Sequence, residues 1–206
     1  MNTAPRSGMM PGIKPGVIRT YTGLLVDVRA LRRQDVKTDD IAHALANTCR
    51  WGGHSSQFFS VAQHSCNCAD SVYRKTADAE ATLYTLLHDA GEAYIGDIPT
   101  PIKCLFPGLL EIEERILETV YEALIPHSLS PAARPLINGV VKNADRVALN
   151  HEWCALMQGD IEMELWLPLR AAAEFKKRYT AMLHLLSLER STDEFSNTAK
   201  EGAEVS

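Results

Sequence analysis

The chain has no uninterrupted run of about 18 apolar residues, so no transmembrane helix is expected. Its first sixteen residues hold three Pro and three Gly among polar residues and lack the apolar centre of a signal peptide. Residues 1–16 are expected to form a flexible tail, and the cytoplasm is the expected compartment. Basic charge is not in excess: 21 Lys and Arg face 26 Asp and Glu, a net charge of −5. A broad nucleic-acid-binding face needs such an excess to displace counterions, so no stable nucleic-acid binding is expected. A small basic pocket for a phosphorylated metabolite remains compatible. No Cys-x-x-Cys pair exists, and the five cysteines (Cys49, Cys66, Cys68, Cys104 and Cys154) are odd in number. That excludes a complete disulfide framework and favours a reducing compartment. Cys66 and Cys68 would point about 200° apart on a helix and so make no chelating pair. The cysteines are expected to be small buried hydrophobes. Internal repeats and low-complexity tracts are also missing, which excludes solenoid and linker-rich architectures.

What is present is an ordinary globular composition, 46% apolar and 23% charged over 206 residues, enough for one domain with a sizeable core. Val17 to Val28 carries β-branched residues in two short runs about a Gly, which predicts a small hairpin. Beyond it the pattern is helical. A first helix starts at Thr38-Asp39-Asp40 and is expected to end near Arg50, ahead of Gly52-Gly53. Further helices are predicted from Ser60 to Arg74, from Ala77 through His88 to Tyr94, from Leu109 to Leu124, from Pro131 or shortly after to Leu156, and from Leu169 to Leu188. The polar segment 191–206 reads as a disordered tail. The expected fold is a single all-α domain over 17–190 with a β-hairpin at its N-terminal side.

Within this pattern His88-Asp89 stands in a run that is otherwise small and apolar. Two ionisable neighbours are costly to bury there unless something compensates them, and a first-row divalent cation does so well, since imidazole and carboxylate both suit it. His64 on the preceding helix and Asp145 on a later one have similarly apolar surroundings. Three helices offering ligands to one point is how helical bundles build metal sites, and two His with two Asp leave positions for water and substrate. Each residue alone has a plainer reading: His64 as a core histidine, Asp145 as a helix carboxylate paired with Arg146, and His88-Asp89 as a local ion pair.

The order His, then His-Asp, then a distant Asp resembles the HD-domain phosphohydrolase superfamily. Arg50 to His54 (RWGGH), Val61 to Ser65 (VAQHS), Leu86 to Lys103 (LLHDAGEAYIGDIPTPIK) and Lys142 to Arg146 (KNADR) resemble, in order and spacing, the branch holding bacterial 5'-deoxynucleotidases and phage enzymes that act on dATP. The resemblance covers about residues 18–160. It implies an HD-domain helical bundle, one divalent ion (Co, Mn, Zn, Ni or Fe) on His64, His88, Asp89 and Asp145, and a deoxynucleotide substrate in a bacterial or phage-infected cytoplasm. Glu92, spaced to share the face of His88 and Asp89 on a continuous helix, could orient or deprotonate the attacking water. Asp97, otherwise a helix cap, is implied to contact the sugar hydroxyl or assist the leaving group. Arg50 could fork onto phosphate or simply oppose a helix dipole. Trp51 is implied to pack on the sugar. His54 and Lys103 are candidates for a phosphate tail, with a loop-settling histidine and an exposed lysine as the plainer readings. Arg146 is expected to make a structural salt bridge.

Two other functions share this fold. A phosphodiesterase on cyclic or linear nucleotides commonly has additional His and Asp ligands, which are not found here. A non-catalytic nucleotide sensor would have a broken ligand set, and all four positions are filled. The Gly-Gly-His at 52–54 departs from the monophosphatases and tilts the expectation towards adenine deoxynucleotides, including the triphosphate (dATP, dADP or dAMP). The fourth and last helices carry enough apolar surface for a homo-oligomer, although core packing explains the same stripes.

Overall fold

The computed structural model describes residues 14–126 and 132–204, with side chains as far as residue 191 except that of Arg190. The expected tail at 1–16 and the start of a helix at Pro131 fall largely outside these residues. Two short strands, β1 (Val17–Arg19) and β2 (Leu25–Asp27), pair antiparallel with Ile18 opposite Val26. The predicted hairpin is therefore present, and among the described residues everything after it is helix or loop.

Among the described residues eight α-helices follow: α1 (Thr38–Asn47), α2 (Val61–Thr76), α3 (Ala79–Leu86), α4 (Glu92–Ile95), α5 (Thr100–Lys103), α6 (Pro107–Leu124), α7 (Ala133–Glu152) and α8 (Pro168–Glu204). The architecture is the all-α bundle with a small hairpin that the sequence predicts. The backbone of α8 is helical well past Leu188, through positions where a polar tail is expected.

The centre of the bundle is α2. Its residues Val61, Ala62, Gln63, His64, Ser65, Cys66, Cys68, Ala69 and Val72 are all buried, so nearly every face is covered. A helix buried all round must be packed on several sides, and α1, α3, α7 and α8 all lie against it. The small side chains of Ala62, Ser65, Cys66 and Ala69 let those neighbours approach. Ile41 and Leu45 of α1, Leu83 and Leu86 of α3 and Phe175 of α8 complete a fully buried core. The start of α2 is fixed by Ser60, whose side chain accepts a hydrogen bond from the Gln63 N–H at 3.2 Å. His64 thus sits one turn into a capped, buried helix.

Two expected helices end differently. The first stops at Asn47, and Arg50 does not close it. Arg50 lies on an extended segment whose N–H bonds the carbonyl of Phe59, beside the Cys49–Ser60 bridge. The helix expected from Ala77 to Tyr94 is broken between α3 and α4, so His88 and Asp89 stand on a tight turn. There the backbone uses three-residue hydrogen bonds, Ala90 to Leu87 and Glu92 to Asp89. The His88 ring supplies a cause: its Nδ1 lies 2.7 Å from the Thr85 carbonyl, which a regular helix would give to the Asp89 N–H. Cys66 and Cys68 are buried as expected, whereas Cys104 is exposed because the single turn of α5 lies on the surface.

Candidate metal centre and active site

Four side chains from three elements meet at one point. His64 Nε2 lies 3.3 Å from His88 Nε2, 3.5 Å from Asp89 Oδ2 and 3.2 Å from Asp145 Oδ1. His88 Nε2 is 3.3 Å from Asp89 Oδ2 and 3.9 Å from Asp145 Oδ1. For metal–ligand bonds of about 2.1 Å, neighbouring donors lie about 3.0 Å apart at right angles and about 3.4 Å apart at tetrahedral angles. Four of the five separations lie in or close to that range, and the His88–Asp145 one, at 3.9 Å, is wider. The tight turn lets the adjacent His88 and Asp89 both contribute, which a regular helix would hinder by turning them about 100° apart.

Charge balance points the same way. Among the described residues Asp89, Glu92, Asp97, Asp145 and Glu152 gather around two permanently charged bases, Arg50 and Lys103. Such an excess of carboxylate suits a divalent cation. Burial pushes the Asp89 carboxyl up, but His88, His64 and Arg50 outweigh it and hold it below the usual range. Asp145 is likewise lowered to about 2: burial opposes this, and His64, His88 and Arg50 prevail. Both carboxyls are therefore held in the ionised form at neutral pH.

Cys68 is a fifth candidate that composition alone assigned to the core. Its Sγ lies 3.6 Å from Nε2 and 3.9 Å from Nδ1 of His64, and His64, Cys68 and His88 could offer donors within 4.8 Å of one another. The near-equal distances set the sulfur against the imidazole ring rather than on the Nε2 lone pair. Burial raises its pKa against the pull of His64, which keeps it a thiol. The two carboxylates are the better match.

A cavity of about 300 Å³ opens beside the four donors, lined by Arg50, Trp51, Asp89, Glu92, Asp97, Lys103 and Asp145 among others. Another, of about 400 Å³, is lined by Cys68, His151, Glu152 and Trp166 and holds none of the other predicted residues. The first is therefore the candidate substrate site. Trp51 holds a left-handed backbone conformation, φ 61°, followed by Gly52 and Gly53 at φ 59° and 77°. Such strain in a large residue is kept where a particular side-chain direction is needed. Trp51 packs on Trp153 at a ring separation of 5.5 Å. Among the described residues Trp51 Nε1 and Glu92 Oε2 are buried without a hydrogen-bond partner, and both residues line this cavity.

Not every predicted residue joins the group. His54 is exposed and does not line the cavity. Lys103 reaches the cavity but is neither exposed nor free for a phosphate tail: its Nζ is 2.5 Å from Glu113 and 3.4 Å from Glu92. Arg146 donates to Asn143 at 3.0 Å instead of making the expected salt bridge. Glu152, which sequence reading passed over, is almost wholly buried beside His64 and Arg50. Its spacing of seven from Asp145 puts it on the same helix face two turns later, a signal that was available.

Glu92 carries a pH-dependent cost. Burial first, then the charges of Asp89 and Asp97, push it up to about 9 against the pull of Lys103 and Arg50. In the metal-free protein its proton is bound more tightly in the folded chain than in the unfolded one. Its contribution to stability is full below the ordinary glutamate range and lost as pH rises through about 9. Metal-free Glu92→Gln should therefore melt higher than wild type at pH 9, by about 3–6 °C for a gain of about 1–2 kcal/mol, with the gap closing towards pH 5. Thermal melts across that range check it; a pH-independent difference would refute it. A cation on Asp89 acts in the opposite direction and draws Glu92 towards ionisation.

An all-α bundle with this His, His-Asp and Asp set defines an HD-domain protein. More particularly, the chain belongs to the 5'-deoxynucleotidase YfbR-like family, whose family model matches residues 43–147. It is 36% identical over 135 residues to the uncharacterized protein YfdR of Escherichia coli, covering 66% of this chain and 69% of that one. It is 29% identical over 188 residues to an uncharacterized protein of Rhodobacter capsulatus, covering 82% and 94%. It is 31% identical over 106 residues to a 5'-deoxynucleotidase of Shewanella oneidensis, covering 45% and 54%. The family is metal-dependent, and membership supports nucleotide phosphohydrolase activity. No helix among the described residues is long and apolar enough to cross a membrane.

Proposed function

We propose that the protein removes the 5'-phosphate from deoxynucleoside monophosphates, using a divalent ion on His64, His88, Asp89 and Asp145. The observation that carries this reading is the convergence of those four donors beside a cavity containing Arg50 and the unpartnered Glu92 Oε2. His64, His88, Asp89 and Asp145 would hold a Co, Mn, Zn, Ni or Fe ion, which would supply Lewis acidity to the phosphoryl group and lower the pKa of water.

The chain's own residues do the rest. Arg50 has Nε and Nη1 committed to Glu152 and Asp89, and its Nη2, outside those contacts, is offered to a phosphate oxygen. Glu92 receives the proton of the attacking water through Oε2. Water oxygen bonds to phosphorus as the bond to the 5'-oxygen breaks. Asp97, which burial raises against the pull of Arg50, gives its own proton to the leaving oxygen and regains one from solvent as Glu92 releases the proton it took from water, or else holds the sugar hydroxyl. Trp51 walls the sugar. The products are a deoxynucleoside and inorganic phosphate.

A monophosphate is preferred over dATP for two reasons. The cavity of about 300 Å³ is at the small end of ligand pockets, and of the two residues offered for a longer phosphate tail, His54 is exposed outside the cavity lining and Lys103 is held by carboxylates. The named activity of the Shewanella relative agrees with this. The test is phosphate release from deoxy- and ribonucleoside mono-, di- and triphosphates with each of the five metals. Deoxymonophosphates are expected to turn over fastest, and chelated protein to be inactive. Turnover confined to phosphodiesters, or nucleotide binding without phosphate release under every metal, would overturn the reading.

A further inference from the structure

We infer that Glu152 is a positioning residue that couples the metal cradle to the phosphate-binding arginine. Its carboxylate is 1% exposed, and each oxygen has a separate task. Oε1 lies 2.5 Å from His64 Nδ1, while Oε2 accepts from Arg50 Nε at 2.9 Å. A buried carboxylate is costly unless fully partnered, and among the described residues this one's hydrogen bonds both go to members of the proposed machinery.

Each contact fixes something that sequence neighbours do not. A proton on His64 Nδ1, donated to Glu152, leaves the Nε2 lone pair facing His88, Asp89 and Asp145. A charged acceptor also makes the imidazole a stronger donor to a cation. His88 has its own version of this arrangement, with the neutral Thr85 carbonyl in the orienting place. On the other side, Glu152 anchors Arg50 by Nε, which turns the far edge of the guanidinium into the cavity. The helix that presents Asp145 therefore also presents, two turns later, the carboxylate that orients His64.

The local backbone is adapted to this. Immediately after Glu152, α7 widens into a π-helical turn over Trp153–Gln158, ending at Gly159 with φ 77°. Such turns concentrate at functional sites because they redirect side chains. Here Glu152 meets Arg50 while the next residue, Trp153, meets Trp51. Two consecutive residues of α7 and its π-turn thus grip two consecutive residues of the substrate loop.

This inference rests on His64 being a ligand and Arg50 meeting phosphate, and Glu152→Gln tests it. A glutamine keeps the size but can satisfy only one partner. Facing its NH2 to His64 forces the proton onto Nε2, and facing it to Arg50 sets two donors against each other. Mn²⁺ affinity, read from the free-ion electron paramagnetic resonance signal, should fall about 10–100-fold. The kcat/KM for a deoxynucleoside monophosphate should fall by a similar factor or more. Changes below threefold in both would overturn the role. His64→Ala is the control: if it binds Mn²⁺ like wild type, the metal reading itself fails, whereas its loss beside a normal Glu152→Gln sinks only the positioning role. Should Glu152→Gln not fold, the zinc-loaded wild type decides by the nitrogen-15 spectrum of its histidines. A downfield Nδ1 proton on His64, protected from exchange with water, is expected; an unprotonated or freely exchanging Nδ1 overturns the inference.

Discussion

Replacing Asp89 by alanine should abolish metal binding and turnover together, with kcat/KM falling at least about 10⁴-fold, or about 5 kcal/mol in activation free energy. Asp89 is the hub of the site: one oxygen, Oδ2, is within 3.5 Å of His64, His88 and Arg50. Its removal takes away an anionic donor and leaves two imidazoles with Asp145, the most exposed donor at 42% for its side chain. It also frees one end of Arg50, so the phosphate arm loses its orientation. Collapse of the fold would not account for the loss. Against its burial, Asp89 is itself held ionised by His88, His64 and Arg50, so its loss removes some stability, while relieving Glu92 and Asp97 of its charge offsets that loss. The metal-free variant should therefore stay folded and melt close to the wild-type temperature at neutral pH. Elemental analysis of the purified variant, a thermal melt and a phosphate-release assay together check this. Stoichiometric metal with wild-type turnover would remove Asp89 from the ligand set.

The second large effect is expected for Arg50→Ala, which should lower kcat/KM about 10²–10³-fold through loss of charge stabilisation at the phosphoryl group. The same change should cost about 3–5 kcal/mol of stability, because it leaves the buried Glu152 without its cationic partner. Arg50→Lys separates the two consequences. A lysine restores a charge near Glu152 and with it part of the stability, but a single ammonium cannot serve Glu152, Asp89 and a phosphate oxygen at once. Activity should therefore stay near the alanine level while the melting temperature recovers. Metal content should remain close to wild type in both variants, since Arg50 contacts the cradle without being a donor to a cation. Normal KM and kcat in Arg50→Ala would place phosphate recognition elsewhere in the cavity.

The sequence carried the chemistry better than the backbone that delivers it. The proposed donors His64, His88, Asp89 and Asp145 stand out as ionisable residues in apolar helical patterns, and the long run through Gly96 and Lys103 points to the family. The assignment of His88 and Asp89 to an unbroken helix did not survive. Hydrophobic periodicity passes smoothly over 77–94, and it does not register a ring nitrogen competing for the Thr85 carbonyl. The local sequence predicts a solvent-facing or phosphate-facing Lys103, since nothing nearby reveals that Glu113 on the next helix reaches it.

By itself, then, the sequence determined the all-α class, the N-terminal hairpin, the family and the donors that suit a cation, all properties of local pattern and residue chemistry. Only the tertiary structure decided that Glu152, 88 positions from His64 and 102 from Arg50, completes both of them. It likewise decided that the turn after α3 lets neighbouring side chains face one point. The physical reason is the same in both cases. A buried charge is stable only beside particular partners at particular distances, and packing of distant helices, rather than spacing along the chain, sets those distances.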